Sequence, residues 1–128
     1  MEKPVPVTYD PVSGKWAAEN PINVSPGITR IVWKVAVVPD AAGDIYFGTA
    51  PDFQGITFAP GWPGTEPKGD DRVWSSTLRD TMTPGNPPQV FEYTVNAMYQ
   101  TDHSKIAQPV SWDPDVEEGG GPPPAKHI

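Results

Sequence analysis

The chain contains no cysteine among its 128 residues. It therefore cannot form disulfides, thiolate metal sites or a cysteine nucleophile, and the absence favours a reducing compartment. The first six residues, Met1 to Pro6, contain no apolar stretch of the kind that a secretory signal requires. Together these absences predict a cytoplasmic protein, or a secreted one if a leader has been removed from the chain.

Basic residues are few: nine, against sixteen acidic ones, which gives a formal net charge of −7. They are scattered along the chain without a cluster, so a nucleic-acid backbone or an anionic lipid surface would be repelled on average. The sequence also lacks an apolar run long enough to cross a bilayer. We therefore expect the protein to bind neither nucleic acid nor membrane.

Only two histidines are present, His103 and His127. Type 1 copper needs two histidines and a cysteine, and zinc needs three or four ligands, so neither site can be assembled. Calcium is a weaker alternative, because Asp113, Asp115 and Glu117 alternate and would share one side of an extended chain. We interpret these carboxylates as a solvated acidic tail, and the sequence predicts no metal and no cofactor.

A helical apolar pattern is also missing, since no segment repeats apolar residues at i, i+3, i+4 and i+7. Two long segments, 28–38 and 89–99, alternate instead, with Trp33 and Tyr93 on their apolar faces. Eighteen prolines and twelve glycines separate the apolar runs and indicate turns and strand ends. The period of two predicts strands that face a core on one side and water on the other.

Shorter alternating segments recur about every ten residues, which gives roughly seven to nine strands. The predicted fold is all-β: a two-sheet antiparallel sandwich that occupies residues 1–114 as one domain. Prolines in the segments 5–9 and 106–112 predict edge strands. Residues 115–128 are acidic and then Gly/Pro-rich, and they are predicted to form a C-terminal tail.

Short motifs along the chain form a recognisable series: Tyr9-Asp10-Pro11, Gly14-Lys15-Trp16, Ile31-Val32-Trp33, Gly55-Ile56-Thr57-Phe58, Phe91-Glu92-Tyr93-Thr94-Val95 and Asp113-Pro114. Together they resemble small bacterial β-sandwich proteins of uncharacterised function, with an immunoglobulin-like or cupredoxin-like topology. The resemblance covers residues 5–116 and implies a fold without an activity. The loop at 59–71 is longer than that pattern leads us to expect, and such loops often carry binding sites.

The aromatic residues are the remaining signal for a site. Trp33 lies on an apolar strand face and is predicted to be in the core. Trp62 lies instead in a segment rich in Gly and Pro, which favours exposure. We predict a ligand site formed by Trp62 with Phe58, Asp70 and Asp71. The alternative is that Trp62 folds back over the sheet edge as a plug.

These observations predict a non-enzymatic binding or protein-interaction module of unknown ligand. One alternative is a carbohydrate-binding module that uses the loop aromatics. A less favoured one is a small hydrolase with carboxylates in the 59–71 loop, although the chain has no Gly-x-Ser-x-Gly motif. We also expect a homo-oligomer, formed through the edge strands or through the tail, whose segment after Trp112 would reach a neighbouring subunit.

Overall fold

A computed structural model describes residues 2–24, 28–78, 89–102 and 105–118. Within these ranges the backbone forms thirteen strands and no helix, which confirms the all-β prediction. In chain order the strands are β1 (Glu2–Asp10), β2 (Lys15–Ala17), β3 (Ile22–Val24), β4 (Arg30–Val37), β5 (Asp44–Phe47), β6 (Thr49–Ala50), β7 (Phe53–Gln54), β8 (Ile56–Phe58), β9 (Lys68–Gly69), β10 (Val73–Thr77), β11 (Gln89–Gln100), β12 (Gln108–Trp112) and β13 (Asp115–Glu118).

The first sheet has five strands in the order β2-β1-β4-β10-β9. Its centre is the pairing of β1 with β4, which runs parallel from Glu2 opposite Arg30 to Tyr9 opposite Val37. The other pairings in this sheet are antiparallel. The sheets are therefore mixed, whereas the sequence predicted antiparallel ones. The reason is that the chain crosses to the other sheet for β3 before it returns as β4, and so arrives in the direction of β1.

The second sheet is built on the long strand β11. On one side of it, β12 and β13 keep a single register, with Val95 opposite Trp112 and Glu92 opposite Asp115. Between them the N–H of Tyr93 donates to the carbonyl oxygen of Pro114 at 3.0 Å. The two segments therefore act as one strand interrupted at that proline, and β3 pairs with the outer edge of β13 in parallel.

The other side of β11 is paired by β5 and by β8. Between these two strands the chain makes a small hairpin of β6 and β7. The N–H of Gly48 donates to the carbonyl of Asn96, and the N–H of Asn96 donates to the carbonyl of Gly55, so β11 holds both ends of the hairpin. The hairpin therefore lies between two strands, β5 and β8, that pair with the same side of β11.

The core lies between the two sheets, and its members come from alternate strand positions as the period of two requires. In β4 the buried residues are Ile31, Trp33 and Val35. The fully buried residues with the largest side chains are Trp33, Tyr93, Phe47, Ile22, Ile31, Ile45, Ile56, Val5, Val7, Val95, Val116 and Pro114. The two long alternating segments of the sequence are therefore β4 and β11, and their predicted faces are confirmed.

The proline-rich start of β1 is an edge over part of its length. The carbonyl of Tyr9 accepts from the N–H of Val38, so odd positions of β1 direct their backbone groups toward β4. Pro4 and Pro6 are even positions and face away from β4. On the side of β1 that faces away from β4, the described partner strand is β2, which pairs only with the last three residues of β1. The prolines therefore lie where no ladder donor is needed.

The chain beyond Pro114 was predicted to be tail, but Asp115–Glu118 is a strand of the second sheet. Val116 is fully buried between β3 and β11. The N–H of Asp115 also donates to the side-chain oxygen of Asn20 at 2.9 Å. The sandwich therefore extends to Glu118. The rest of the predicted tail lies outside the described residues, and so does His103 in the segment between β11 and β12.

Two polar groups lie unpaired in the core. The Tyr93 hydroxyl and the Trp33 indole N–H are both buried, and neither has a hydrogen-bond partner among the described residues. The ring centroids of these residues are 5.6 Å apart. Burial raises the pKa of Tyr93. The neighbouring Trp33 side chain has the opposite and smaller effect on that pKa. The neutral hydroxyl is therefore the form that the fold holds.

Tyr93→Phe is expected to raise the free energy of unfolding by about 1 kcal/mol, because it removes a buried hydroxyl that has no hydrogen-bond partner among the described residues. Tyr99→Phe is the matched control: the Tyr99 hydroxyl donates to the Ala42 carbonyl at 2.8 Å, so its loss should cost about 0.5–1 kcal/mol. Urea unfolding at pH 7 measures both. A loss of stability in Tyr93→Phe would contradict the assignment.

The same tyrosine predicts a loss of stability in alkali. Since the folded-state pKa of Tyr93 is raised, its contribution is complete below the unfolded pKa near 10 and falls as the pH rises above it. The slope contributed by this group should approach about 1.4 kcal/mol per pH unit. Tyr93→Phe should lack that component between pH 10 and 11, whereas Tyr99→Phe should retain it.

Candidate functional site

A groove of about 440 Å³ lies between β8 and the loop that leads from β8 to β9. It contains two of the residues that the sequence predicted for a site, Phe58 and Trp62. Its polar lining comes from Gln54, Thr57 and Glu66. The volume falls within the range of small-ligand sites.

The loop that forms the outer wall of this groove is fastened to β10. The N–H of Thr65 donates to the carbonyl of Thr77 at 2.9 Å, and the N–H of Thr77 donates to the Thr65 hydroxyl at 2.8 Å. Gly61 turns the loop with a φ of 105°, a conformation that favours glycine. These bonds hold the wall in one place relative to the first sheet.

Trp62 is held on three sides. Its ring stacks on Phe58 with centroids 3.9 Å apart and planes 3° from parallel, and it meets Phe91 in an edge-to-face contact with centroids 5.4 Å apart. Its indole N–H donates to the Ser76 hydroxyl at 3.0 Å. A Cβ on Gly64 would come within 2.6 Å of the same nitrogen, so glycine is required for this approach.

The ring is half-buried, which is compatible with the alternative that Trp62 folds back over the sheet edge as a plug. Ser76, which receives the indole N–H, is itself buried and donates to the Thr65 carbonyl at 2.7 Å. Strand, loop and ring are thus linked by consecutive hydrogen bonds. One face of Trp62 lies against Phe58, and both residues line the groove.

Phe58 connects the groove to the core. Beyond Trp62 its neighbours are Tyr93, with ring centroids 5.4 Å apart, and Trp33 at 6.1 Å. Phe58 is the last residue of β8, so the sheet fixes its backbone. The core therefore supports the aromatic wall from behind.

The two predicted acidic residues lie apart from the aromatic pair and do not line the groove. One side-chain oxygen of Asp70 accepts from the N–H groups of Val73 and Arg72, at 2.9 and 2.8 Å. These bonds lower the pKa of Asp70. The Asp71 carbonyl accepts from the N–H of Phe47 at 2.9 Å. Both residues shape the turn into β10.

A second hollow of about 340 Å³ continues the groove along the same side of the sandwich. The two share Gln54, Glu66 and Pro67 in their lining, and the second extends to Lys68 and Trp74. Glu66 is thus the one carboxylate among the residues that line the two hollows. The sequence did not single it out, because a lone Glu between Thr and Pro carries no motif; the only available signal was its place in the long loop.

The acidic residues considered for calcium lie along the junction of β12 and β13. Asp113 accepts from the Thr94 hydroxyl at 2.7 Å, which ties it to β11. Pro114 and Val116 are buried, so Asp115 and Glu117 take the opposite face. In the described part of the chain, no group of three or more His, Asp or Glu side chains could hold a metal ion.

Comparison with protein-family models, with curated proteins and with solved structures gives no match to this chain. Its class therefore rests on the fold itself, an all-β sandwich of two mixed sheets. Across the described ranges there is no helix of the length and hydrophobicity that a membrane span needs.

Proposed function

We propose that the protein is a non-enzymatic binding module whose ligand lies in the groove beside Trp62. The observation that carries the proposal is an aromatic ring in the lining of a cavity, fixed there by a stack on Phe58 and a hydrogen bond to Ser76. A ring that is already ordered loses little side-chain entropy when a ligand contacts it. A preorganised aromatic beside a few polar groups is typical of binding sites.

A hydrolase is less well supported by the same groove. Glycoside hydrolysis by paired carboxylates needs two of them across the scissile bond, about 5–10 Å apart. Glu66 is the single carboxylate among the residues that line the two hollows. Asp70, which the hydrolase alternative would use, already accepts two backbone N–H groups in its turn.

The finer fold type is also a proposal. An immunoglobulin-like or cupredoxin-like topology is supported by the crossings between sheets, from β2 to β3 and from β3 back to β4. An experimental structure that paired β1 with β3 within one sheet would contradict it.

The binding proposal can be tested before the ligand is known, because Trp62 reports on its own site. We expect the indole N–H resonance of Trp62, assigned with a Trp62→Phe variant, to shift in a two-dimensional NMR screen of uncharged oligosaccharides, proline-rich peptides and small metabolites. Glu66→Ala should weaken the binding of any compound that shifts it. Lys34→Ala, on the exposed face of β4, should leave that binding unchanged.

The proposal would be contradicted if no compound in the screen shifted the Trp62 resonance. It would equally fail if binding compounds perturbed only resonances away from the groove.

A further inference from the structure

We propose that the ligand of this groove is an uncharged oligosaccharide that spans both hollows, with one sugar ring against the indole of Trp62. The inference rests on the proposed binding function and names its ligand class. It follows from the stacked aromatic pair in the lining, the chemistry of the rim and the length of the site.

The aromatic wall of the groove is the stacked pair of Trp62 and Phe58, and both half-buried rings line the cavity. Phe58 also contacts the core rings of Tyr93 and Trp33. Phe91 meets Trp62 in an edge-to-face contact at an angle of 79°. The face of an indole is electron-rich and attracts the C–H groups on one side of a sugar ring. One fixed indole face is therefore a platform for one sugar unit.

The rim of the groove carries the groups that hydroxyls need. Gln54 supplies an amide that both donates and accepts, Thr57 a hydroxyl that does both, and Glu66 a carboxylate that accepts. A sugar presents hydroxyls that donate and accept in turn, so each of these groups can be matched. An apolar ligand would bury them without partners, which costs free energy.

The site is longer than one ring. Beyond Gln54, Glu66 and Pro67 the second hollow continues to Thr49, Lys68 and Trp74. The charges of Glu66 and Lys68 offset each other, and the chain as a whole carries −7. An anionic polysaccharide would therefore be repelled at long range, whereas an uncharged one would not. Both hollows are filled together by a neutral chain of several sugar units.

An extended peptide fits the same place less well. Strand addition would require access to the outer backbone edge of β8. Ile56, the first residue of β8, is fully buried, so its backbone is not accessible. Proline-rich peptides dock in grooves lined by several aromatic residues. Here the two aromatic side chains that line the groove, Trp62 and Phe58, stack on each other and do not form a row of separate rings.

The test is a titration of the full-length protein with cellohexaose, xylohexaose, mannohexaose and chitohexaose, followed by calorimetry and by the Trp62 indole resonance. At least one hexasaccharide should bind with Kd below about 1 mM, and its monosaccharide should bind at least about tenfold more weakly. Trp62→Ala and Glu66→Ala should each weaken binding of the hexasaccharide, and Trp62→Ala should raise its Kd by about tenfold or more. Lys34→Ala is the unaffected control.

Lys68→Ala tests the length of the site. It should weaken binding of a hexasaccharide and leave the binding of a disaccharide at Trp62 unchanged. Glu66 and Lys68 are exposed, so these variants keep the fold even if Trp62→Ala does not. The inference is overturned if no hexasaccharide shifts the Trp62 resonance at about 5 mM, or if one binds with an affinity that Glu66→Ala leaves unchanged. A proline decamer that shifted Trp62 where the sugars did not would overturn the ligand class and keep the binding function.

Discussion

A chain that ends at Pro114 is expected to lose its cooperative unfolding transition, whereas a chain that ends at Glu118 should unfold at the temperature of the full protein. The difference is β13. Burial of Val116 alone contributes about 1.5–3 kcal/mol, and its strand pairs with both β11 and β3. A domain of this size is stable by only about 5–15 kcal/mol, so loss of the strand, its ladder and the cover of β3 removes most of that stability.

Circular dichroism during heating measures both chains. Val116→Ala in the full chain distinguishes the contribution of this side chain from that of the whole strand. It should lower the free energy of unfolding by about 2 kcal/mol while the transition stays cooperative. Glu117→Ala, on the outward face of the same strand, is the matched control and should change little. A cooperative transition in the chain that ends at Pro114 would contradict the assignment of β13 to the core.

The same pair of chains tests the proposed homo-oligomer. Solution mass of the full chain and of the chain ending at Glu118, at tens of micromolar, decides whether the residues after Glu118 hold copies together. If both are monomers, neither those residues nor an exposed edge such as β12 associates under these conditions. The comparison uses Glu118 rather than Pro114 because removal of β13 would unfold the protein.

The long strands could be predicted because their information is local. In β4 and β11 an apolar residue at every second position fixes which face is buried, and no distant partner is needed to read it. The same holds for the prolines of β1, which mark an edge by the donor that they lack. These elements were found in the sequence with their faces correct.

What could not be predicted depends on distant pairing. Asp115–Glu118 contains one apolar residue among acidic ones, and only pairing with β11 and β3 turns it into a strand with a buried side chain. The parallel pairing of β1 with β4 is likewise set by how the chain crosses between the sheets, which leaves no mark in either segment. Register between distant strands is a property of the whole chain.

The candidate site shows the same division. Loop chemistry placed Trp62 outside a strand, and its Gly and Pro neighbours do form the wall of a groove. The sequence could not show that the ring would find Ser76, a serine on the inner face of β10 fourteen residues away. Nor could it distinguish Glu66, whose residue lines the groove, from Asp70, whose carboxylate stabilises a turn, and from Asp71, whose backbone carbonyl accepts from Phe47.

Trp33→Ala is expected to lower the free energy of unfolding by about 3–5 kcal/mol, the range for removal of a large buried aromatic side chain. Trp33 has no exposed surface and contacts Tyr93 and Phe58 in the centre of the core, so its loss leaves a cavity that neighbouring strands cannot close. Urea unfolding gives the cost as a shift of the midpoint at constant slope.

Trp62→Ala provides the comparison, with an expected cost of about 1–2 kcal/mol from one hydrogen bond and part of one ring. The substitution does not leave the buried Ser76 hydroxyl without a hydrogen bond, because this hydroxyl still donates to the Thr65 carbonyl. If the two variants were equally unstable, Trp62 would be a structural cover and the binding proposals would lose their support. If Trp62→Ala costs far less than Trp33→Ala, the three contacts that hold Trp62 in place contribute little to stability. A ligand in the groove would then be the reason for the fixed position of the ring.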